Sequence, residues 1–195
     1  MDALQAILSR RSTRAFKPEL PSEELLQQIL EAGRAAPSGS NSQTTHFIVI
    51  TSPSVLENLR TLVQETFAGM EADENTYVSL RNSITRSKTG SYVYDYHAPV
   101  LIVTANRKDY GNALADSACA LENMMIAANH FDLGSCWINQ LHWLTDEPAV
   151  RDYLCTLGLL EEETVTGALA LGIPASGEPE RTPLPRYGNP VTWIG

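Results

Sequence analysis

The residues between 111 and 131 form the stretch that most constrains how this chain can fold. They are typical of one long helix with apolar or small side chains on nearly every face and a thin polar strip that includes Asp116 and Glu122. A helix that is apolar nearly all round has to be buried nearly all round. The pattern predicts either the central helix of a monomer or a helix partly covered by a second subunit, and the small residues favour the second arrangement. Asp116 and Glu122 are expected to satisfy buried backbone donors or donors of the second subunit.

Composition limits the class of protein. The 195 residues are enough for one domain with a sizeable core, and 43% hydrophobic and 19% charged residues are ordinary for a globular protein. The formal net charge of -9 argues against non-specific binding to nucleic acid, because phosphate backbones would be repelled. It also makes any local basic cluster more informative.

The cysteines and the apolar runs indicate a cytoplasmic protein that does not enter a membrane. Cys119, Cys136 and Cys155 show no CxxC spacing, which argues against disulfides, a zinc site or an iron–sulfur cluster and predicts reduced, buried thiols. The first residues lack the basic and apolar regions of a signal peptide. No apolar run approaches the roughly 18 residues that a transmembrane helix needs.

Hydrophobic periodicity and turn residues predict an alternation of helices and strands. Ser22 and Thr145 are expected to cap helices at their N-termini, and Gly134 and Gly158 to end helices. Residues 174–190 are rich in proline and predict an extended arm, whose apolar end is expected to dock on another surface. The predicted helices are 1–9, 22–36, 53–70, 77–84, 111–131 and 145–157, and the predicted strands are 46–51, 99–105, 135–139 and 164–171. The second of these strands is apolar throughout, which predicts burial on both faces.

A dense basic turn follows the first predicted helix. Arg10, Arg11 and Arg14 fall within five positions of an otherwise acidic chain, together with the hydroxyl groups of Ser12 and Thr13. Arginine presents a planar fork of donors that fits phosphate and carboxylate oxygens two at a time. The turn therefore predicts a site for an anionic ligand, and the alternative is a basic turn that is merely solvated.

A second polar stretch, residues 37–43, is rich in amide and hydroxyl groups that can reach a polar heterocycle or a polyol. The proline-rich arm adds a further guanidinium group at Arg186. Together with the basic turn, these groups suit a phosphorylated, ring-bearing cofactor better than a bare anion.

Motifs for several other kinds of chemistry are absent. The chain has no GxGxxG after a strand, no GxxxxGK[ST] phosphate loop and no GxSxG nucleophile elbow. Its four histidines form no i, i+4 pair and no HExxH motif, so no metal site is predicted. Each histidine is expected to be structural or at the surface rather than catalytic.

An ordered set of motifs resembles the flavin-dependent nitroreductase family. That family opens with a turn of the form Arg-Arg/His-Ser-x-Arg/Lys-x-Phe, here RRSTRAF at 10–16, and continues with a loop similar to AAPSGSNSQ at 35–43. The later matches keep the family order and cover most of the chain outside residues 56–94. They are HAPVLIV at 97–103, DSACALENMM at 116–125, LGSCWI at 133–138, ALALGIP at 168–174 and the pair Pro185-Arg186.

The resemblance implies a mixed α/β (α+β) architecture, the nitroreductase-like fold, with a central mixed, mainly antiparallel sheet flanked by helices. It implies one domain over residues 1–195, in which 174–195 form an extended C-terminal arm. It also implies a homodimer that binds FMN in clefts at the subunit interface.

By motif match, the resemblance assigns FMN contacts to individual residues of this chain. Arg10 and Arg186 are expected near the phosphate, and Arg14 at the pyrimidine edge, where it would stabilise the anionic reduced ring. Arg11 is expected to contact FMN or, alternatively, to pair with a surface carboxylate. The remaining assignments are Ser12, the partner-derived loop residues Pro37, Ser38, Gly39, Ser40, Asn41 and Gln43, then Asn82, and the backbone of Trp137, Ile138 and Asn139.

The implied function is an FMN-dependent oxidoreductase that passes electrons from NADH or NADPH to nitroaromatic, quinone or related small-molecule acceptors by a ping-pong mechanism. No catalytic side chain is expected, because flavin N5 carries the chemistry. The alternatives are a flavin carrier or sensor without turnover, another reaction of the same fold (reductive dehalogenation, flavin cleavage or azoline oxidation), or a phosphate-binding module without flavin.

This sequence departs from the family pattern in three places. Thr44-Thr45 replaces Pro-Trp beside the polar loop, and Leu184 stands where the family often has lysine. Residues 71–96, where the family places the insert that shapes its substrate pocket, carry none of the motifs that the rest of the chain shares with the family. The acceptor is therefore the part of the function that the residues leave open.

Overall fold

A four-stranded antiparallel sheet forms the centre of the molecule, which a computed structural model describes over residues 1–195. The strands are β1 (His46–Ile50), β2 (Val100–Arg107), β3 (Gly134–Ile138) and β4 (Glu163–Gly172), in the spatial order β1-β2-β4-β3. The register of β2 against β4 shifts once, between Thr104 and Ala105. The predicted α+β class and mainly antiparallel sheet are confirmed.

Seven helices surround the sheet. They are α1 (Ala3–Ser9), α2 (Glu23–Arg34), α3 (Pro53–Gly69), α4 (Val78–Ser87), α5 (Ala113–His130), α6 (Gln140–Trp143) and α7 (Pro148–Thr156). None of them is both long and apolar enough to cross a membrane. The predicted cap at Ser22 is confirmed, because its hydroxyl accepts a hydrogen bond from the backbone N–H of Leu25 at 3.3 Å.

Strand β2 is buried on both faces, as its unbroken apolar run predicts. Val100 and Ile102 point into a core that α2 and α5 complete, whereas Leu101 and Val103 point into a larger core against α3, α4, α6 and α7. This alternation is the two-residue period of a strand, and it produces a three-layer arrangement with the sheet in the middle.

Two predicted helix boundaries are wrong. Helix α5 ends through Asp132, which adopts a left-handed φ of 60°, while the N–H of Leu133 bonds to the carbonyl of Ala128 at 2.8 Å. Gly134 instead begins β3, where a Cβ atom would lie 2.6 Å from the side chain of Thr13. The close approach of the basic turn, rather than helix termination, requires a glycine there.

The second error concerns Thr145, which does not cap a helix. Helix α7 begins at Pro148 with Glu147 as its N-cap, and the short helix α6 precedes it. The Thr145 hydroxyl accepts a hydrogen bond from the backbone N–H of Val165 at 3.0 Å, which fastens the connection between α6 and α7 to β4. The end of α7 at Gly158, with a φ of 114°, is as predicted.

One side of α5 is left uncovered within a single chain. Leu114 is 55% exposed, and Cys119 is exposed on the same helix. The outer face of α1 is also apolar and exposed, with Leu4, Ile7 and Leu8 facing away from the core. All three cysteines are free, but the prediction that all three are buried holds only for Cys136, since Cys119 is exposed and Cys155 is half-buried.

The last part of the chain, residues 174–195, contains no helix and no strand. Its first half is tied to the body: Arg181 donates to the carbonyl of Asn129 at the end of α5, and Arg11 donates to the carbonyl of Thr182 at 3.0 Å. From residue 182 onward every residue is exposed, including Trp193 and Ile194.

Candidate active site

The basic turn lies along β3 as a short extended segment. The backbone N–H of Thr13 donates to the carbonyl of Ser135 at 2.9 Å, and Ser12 forms a parallel bridge to Ser135. Phe16 then bridges Pro174 at the start of the arm. The turn thus occupies the outer edge of β3, and this position fixes where its side chains can reach.

Two of the three arginines of the turn make exposed ion pairs. Arg10 lies 3.5 Å from Glu122 on α5, and Arg11 lies 3.2 Å from Glu180 in the arm. The contact of Glu122 differs from the expectation, because its partner is a guanidinium group of the same chain and not a buried backbone donor or a donor of a second subunit. For Arg11, the structure contains the alternative that the sequence left open, since its guanidinium pairs with a surface carboxylate.

Arg14 has a different environment. Its pKa is raised above the ordinary value, chiefly by a hydrogen bond with the Tyr96 side chain, whose ring centroid lies 5.9 Å from the guanidinium carbon. Burial lowers the pKa of Arg14, but by less than the hydrogen bond raises it. Arg14 is therefore a permanently charged group held in place by an aromatic hydroxyl.

Cys136 lies next to this cationic group. Burial raises the pKa of the Cys136 thiol, and the neighbouring Arg14, together with a hydrogen bond from Ser12, only partly counteracts this effect. A thiol is a nucleophile only as the thiolate. Cys136 is therefore a neutral packing group and not an activated nucleophile.

The loop that carries Tyr96 is held by a buried ion pair. Tyr96 and His97 have left-handed φ values of 58° and 54°, which non-glycine residues seldom adopt. Asp95 is completely buried, and the Nε of Arg60 lies 2.9 Å from both of its carboxylate oxygens. Arg60 also donates to the carbonyl of Ala98 at 3.1 Å. The ion pair thereby holds both ends of the left-handed segment.

The polar loop 37–43 is a separate structure at the N-terminal end of α5. Gly39–Asn41 form a single 3₁₀ turn, and Asp116 accepts a hydrogen bond from the backbone N–H of Gly39. This contact confirms the expectation that Asp116 satisfies a backbone donor. The side chain of Gln43 donates to Asn41 at 3.0 Å, and Pro37, Ser40 and Asn41 are exposed.

Within one chain, the loop and the basic turn line different cavities. The loop borders a cavity of about 130 Å³ that includes Ser38 and Asp116, and the turn borders one of about 220 Å³ that includes Ser12 and Arg14. A single subunit therefore does not bring the two predicted groups of residues together.

A hydrogen-bonded chain connects the end of β3 to helix α4. The indole of Trp137 donates to Asn139 at 2.6 Å, and the backbone N–H of Asn139 donates to the side chain of Gln140. Gln140 donates to the hydroxyl of Tyr92, which lies 2.8 Å from the Ser83 hydroxyl. Burial raises the pKa of Tyr92, so this hydroxyl stays protonated and remains a link in the chain.

The side chains of the remaining predicted residues take no part in this series of hydrogen bonds. Ile138 is buried in the core, whereas Asn82 on α4 is exposed and its neighbour Ser83 turns inward. Arg186 lies in the exposed part of the arm. No group of three or more His, Cys, Asp or Glu side chains lies close enough to hold a metal ion.

Sequence patterns did not identify Arg60, Tyr92, Tyr96 or Gln140. Arg60 follows the helical period of α3, and its partner Asp95 is 35 positions away in the sequence. The only local signal was the run of tyrosines before Pro99, whose aromatic residues are equally typical of a core.

Comparison with known proteins identifies the family. The model of the Nitroreductase family matches residues 7–173. The chain belongs to the nitroreductase family. The match extends from α1 to the residue after β4, so the basic turn, the polar loop and the Asp95 loop of this nitroreductase family member all lie within it, whereas the arm with Arg186 lies outside.

Individual relatives agree with the family match. A nitroreductase from Bacteroides fragilis, solved with bound FMN, is 36% identical, with a TM-score of 0.87 over the full length of both chains. The nitrobenzene nitroreductase of Ectopseudomonas oleovorans is 28% identical over 89% of this chain and 87% of its own. The FMN reductase (NADPH) of Bacillus subtilis is 24% identical over 95% of this chain and 71% of its own.

The buried ion pair beneath Tyr96 gives a testable consequence for stability. Replacing Arg60 by alanine leaves the Asp95 carboxylate buried without its partner, so we expect Arg60→Ala to lower the free energy of unfolding by about 3–5 kcal/mol. Glu57→Ala is the matched control, because it removes only the exposed second partner of Arg60 and should cost less than about 1 kcal/mol. Urea unfolding of the two variants measures the difference, and equal effects would contradict the role given to Asp95.

Proposed function

We propose that this protein is an FMN-dependent oxidoreductase that transfers electrons from NADH or NADPH to small organic acceptors such as nitroaromatics and quinones. Membership of the nitroreductase family supports the reaction class. The FMN in the Bacteroides fragilis structure and the acceptor and donor in the names of the other two relatives support the details. The observation that carries the proposal is the cationic turn, in which Arg14 stays charged beside Tyr96.

The donor groups of the turn fit a phosphorylated flavin. The carboxylates that pair with Arg10 and Arg11 belong to Glu122 and Glu180, whose side chains are 45% and 64% exposed. Such surface ion pairs contribute only about 0–1 kcal/mol, so a phosphate group can replace them. We assign Arg10, together with Arg186 of the arm, to the phosphate of FMN, and Ser12 and Arg11 to its other polar atoms.

The side chains near the turn bind and orient rather than react. FMN, when bound, supplies the electron-transfer chemistry that no side chain of this protein provides. Arg14, which lies beside the Tyr96 ring, would stabilise negative charge at the pyrimidine edge. The hydrogen bonds among Trp137, Asn139 and Gln140 hold the end of β3, whose backbone would approach the ring. Cys136 remains a protonated thiol and takes no part.

We further propose that the protein is a homodimer in which the loop of one subunit completes the site of the other. The uncovered side of α5 and the exposed face of α1 support this arrangement. A groove of about 720 Å³ between α1, α2 and α5, lined mainly by apolar atoms, adds to that surface. The loop residues Pro37, Ser38, Gly39, Ser40, Asn41 and Gln43 would then face the flavin of the partner, with Asn82 at its pyrimidine edge.

The reductase proposal is tested by the visible absorption spectrum of the purified protein, followed by anaerobic addition of NADH or NADPH. We expect a flavin spectrum that is bleached by one of the two nucleotides and restored by a quinone or a nitroaromatic compound, with ping-pong kinetics. A protein that remains colourless after FMN is added would refute the proposal. Bound FMN without turnover would instead identify a flavin carrier.

Replacement of Arg14 tests its place at the flavin. A charge-assisted hydrogen bond contributes about 1.5–3 kcal/mol, so Arg14→Ala and Arg10→Ala should each weaken FMN binding by about tenfold or more. Lys88→Ala removes the same charge from an exposed ion pair and should leave the affinity unchanged. Titration of the cofactor-free proteins with FMN, followed by flavin fluorescence, measures the three affinities. Wild-type affinity in both arginine variants would refute the assignment.

The arm is tested by truncation after Thr182. We expect the truncated protein, which lacks Arg186 and the apolar end of the arm, to dimerise more weakly and to lose FMN faster. Arg186→Ala in the full-length chain separates the two effects, because it should weaken FMN binding alone. Sedimentation velocity and flavin retention are the two measurements. A truncated protein equal to wild type in both would mean that the arm has no such role.

A further inference from the structure

The polar loop adopts a backbone conformation that needs support from elsewhere. Ser40, Asn41 and Gln43 all have left-handed φ values, of 52°, 54° and 50°. Residues other than glycine occupy this region at a cost and persist there only when their surroundings hold them. Ser40, Asn41 and Gln43 are themselves exposed, so the support has to come from the inward-facing residues of the loop.

A buried carboxylate provides part of that support, in addition to the Ser38 hydroxyl, which accepts a hydrogen bond from the backbone N–H of Gln43 at 3.0 Å. Asp116 is 7% exposed, and its two oxygens lie 3.1 and 3.2 Å from the backbone nitrogen of Gly39. The Tyr110 hydroxyl donates to the same carboxylate at 2.8 Å, and the Ser42 hydroxyl lies 3.5 Å from it. Asp116 is in the first turn of α5, where the helix dipole favours a negative charge.

Tyr110 links the carboxylate to the other end of the loop. Its hydroxyl lies 3.0 Å from the Ser42 hydroxyl and 3.2 Å from the carbonyl of Gly39. A phenol has one proton, and the shortest of its contacts is the one to Asp116, so Tyr110 donates there and accepts from Ser42. A Cβ atom at Gly39 would lie 2.6 Å from this hydroxyl, so the loop can approach Tyr110 only with a glycine at this position.

The loop consequently has two faces with separate tasks. Gly39 and Ser42 face Asp116 and Tyr110, whereas Ser40, Asn41 and Gln43 keep their polar groups outside. Both oxygens of Asp116 face the loop, and one of them also accepts the hydrogen bond from Tyr110.

We infer that Asp116 is a positioning residue that, together with Tyr110, holds loop 38–43 in its binding conformation before the cofactor arrives. A loop ordered in advance strengthens binding, because the entropy lost on ordering it does not oppose the association. The identity of the ligand as FMN rests on the proposed function, but the ordering of the loop does not.

The first experiment uses the full-length protein without cofactor. Hydrogen exchange of the peptide that covers residues 38–43 should be about tenfold faster in Asp116→Ala than in wild type, since the Gly39 N–H loses its acceptor. Asp116→Asn keeps an oxygen acceptor and should recover part of the protection. Asp109→Asn removes an exposed charge one residue before Tyr110 and should match wild type. Unchanged exchange in Asp116→Ala would overturn the inference whether or not the protein binds FMN.

The second experiment measures FMN affinity and the visible circular dichroism of the bound flavin. We expect Asp116→Ala to bind FMN about tenfold more weakly with an altered dichroism band, and Asp116→Asn to restore part of both. Tyr110→Phe should weaken binding in the wild-type background and have a smaller further effect in Asp116→Ala, because Tyr110 acts partly through Asp116 and partly through its own contact with Ser42. Full additivity of the two substitutions, or wild-type affinity in Asp116→Ala, would contradict the positioning role of Asp116.

The experiments distinguish a failure of the proposed function from a failure of the inference about Asp116. A wild-type protein that does not bind FMN would refute the proposed function, while hydrogen exchange would still decide the role of Asp116. If Asp116→Ala does not fold, Tyr110→Phe carries the test, since it removes one hydroxyl group from an otherwise intact ring. Wild-type exchange and affinity in Tyr110→Phe would then overturn the inference.

Discussion

Helix α5 can remove its apolar surface from water only by lying between the sheet and a further surface, and the rest of the molecule is arranged around that constraint. Leu121 and Met124 pack against the sheet, while Leu114 on the other side stays uncovered within one chain. The polar strip between these two sides meets the parts of the chain that lie beside it. Asp116 accepts a hydrogen bond from Gly39 of the polar loop, and Glu122 forms an ion pair with Arg10 of the basic turn.

Two buried acids then support the groups that are exposed to a ligand. Asp95, paired with Arg60, holds the left-handed segment whose Tyr96 bonds to Arg14, and Asp116 holds the loop at Gly39. Both carboxylates accept hydrogen bonds from protein donors. The result is an arrangement of cationic and amide groups held in place by buried acids, which suits a site whose chemistry belongs to a cofactor.

Much of the fold could be predicted because its causes are local. The apolar run of β2, the cap at Ser22 and the chain reversal at Gly158 each depend on a few neighbouring residues. Gly134 and Thr145 were misjudged for one shared reason. Their chemistry suits a helix end, but the tertiary structure uses Gly134 for the close approach of Thr13 and Thr145 to bind Val165.

By itself the sequence determined the family, the strand and helix pattern, and the two groups of polar residues in the candidate site, because periodicity, capping and motif spacing are properties of short segments. Only the tertiary structure decided which residues hold these groups in place. Arg60 reaches Asp95 across 35 positions, and Asp116 reaches Gly39 across 77. Pairings over such distances depend on how the layers pack, and no local pattern encodes them.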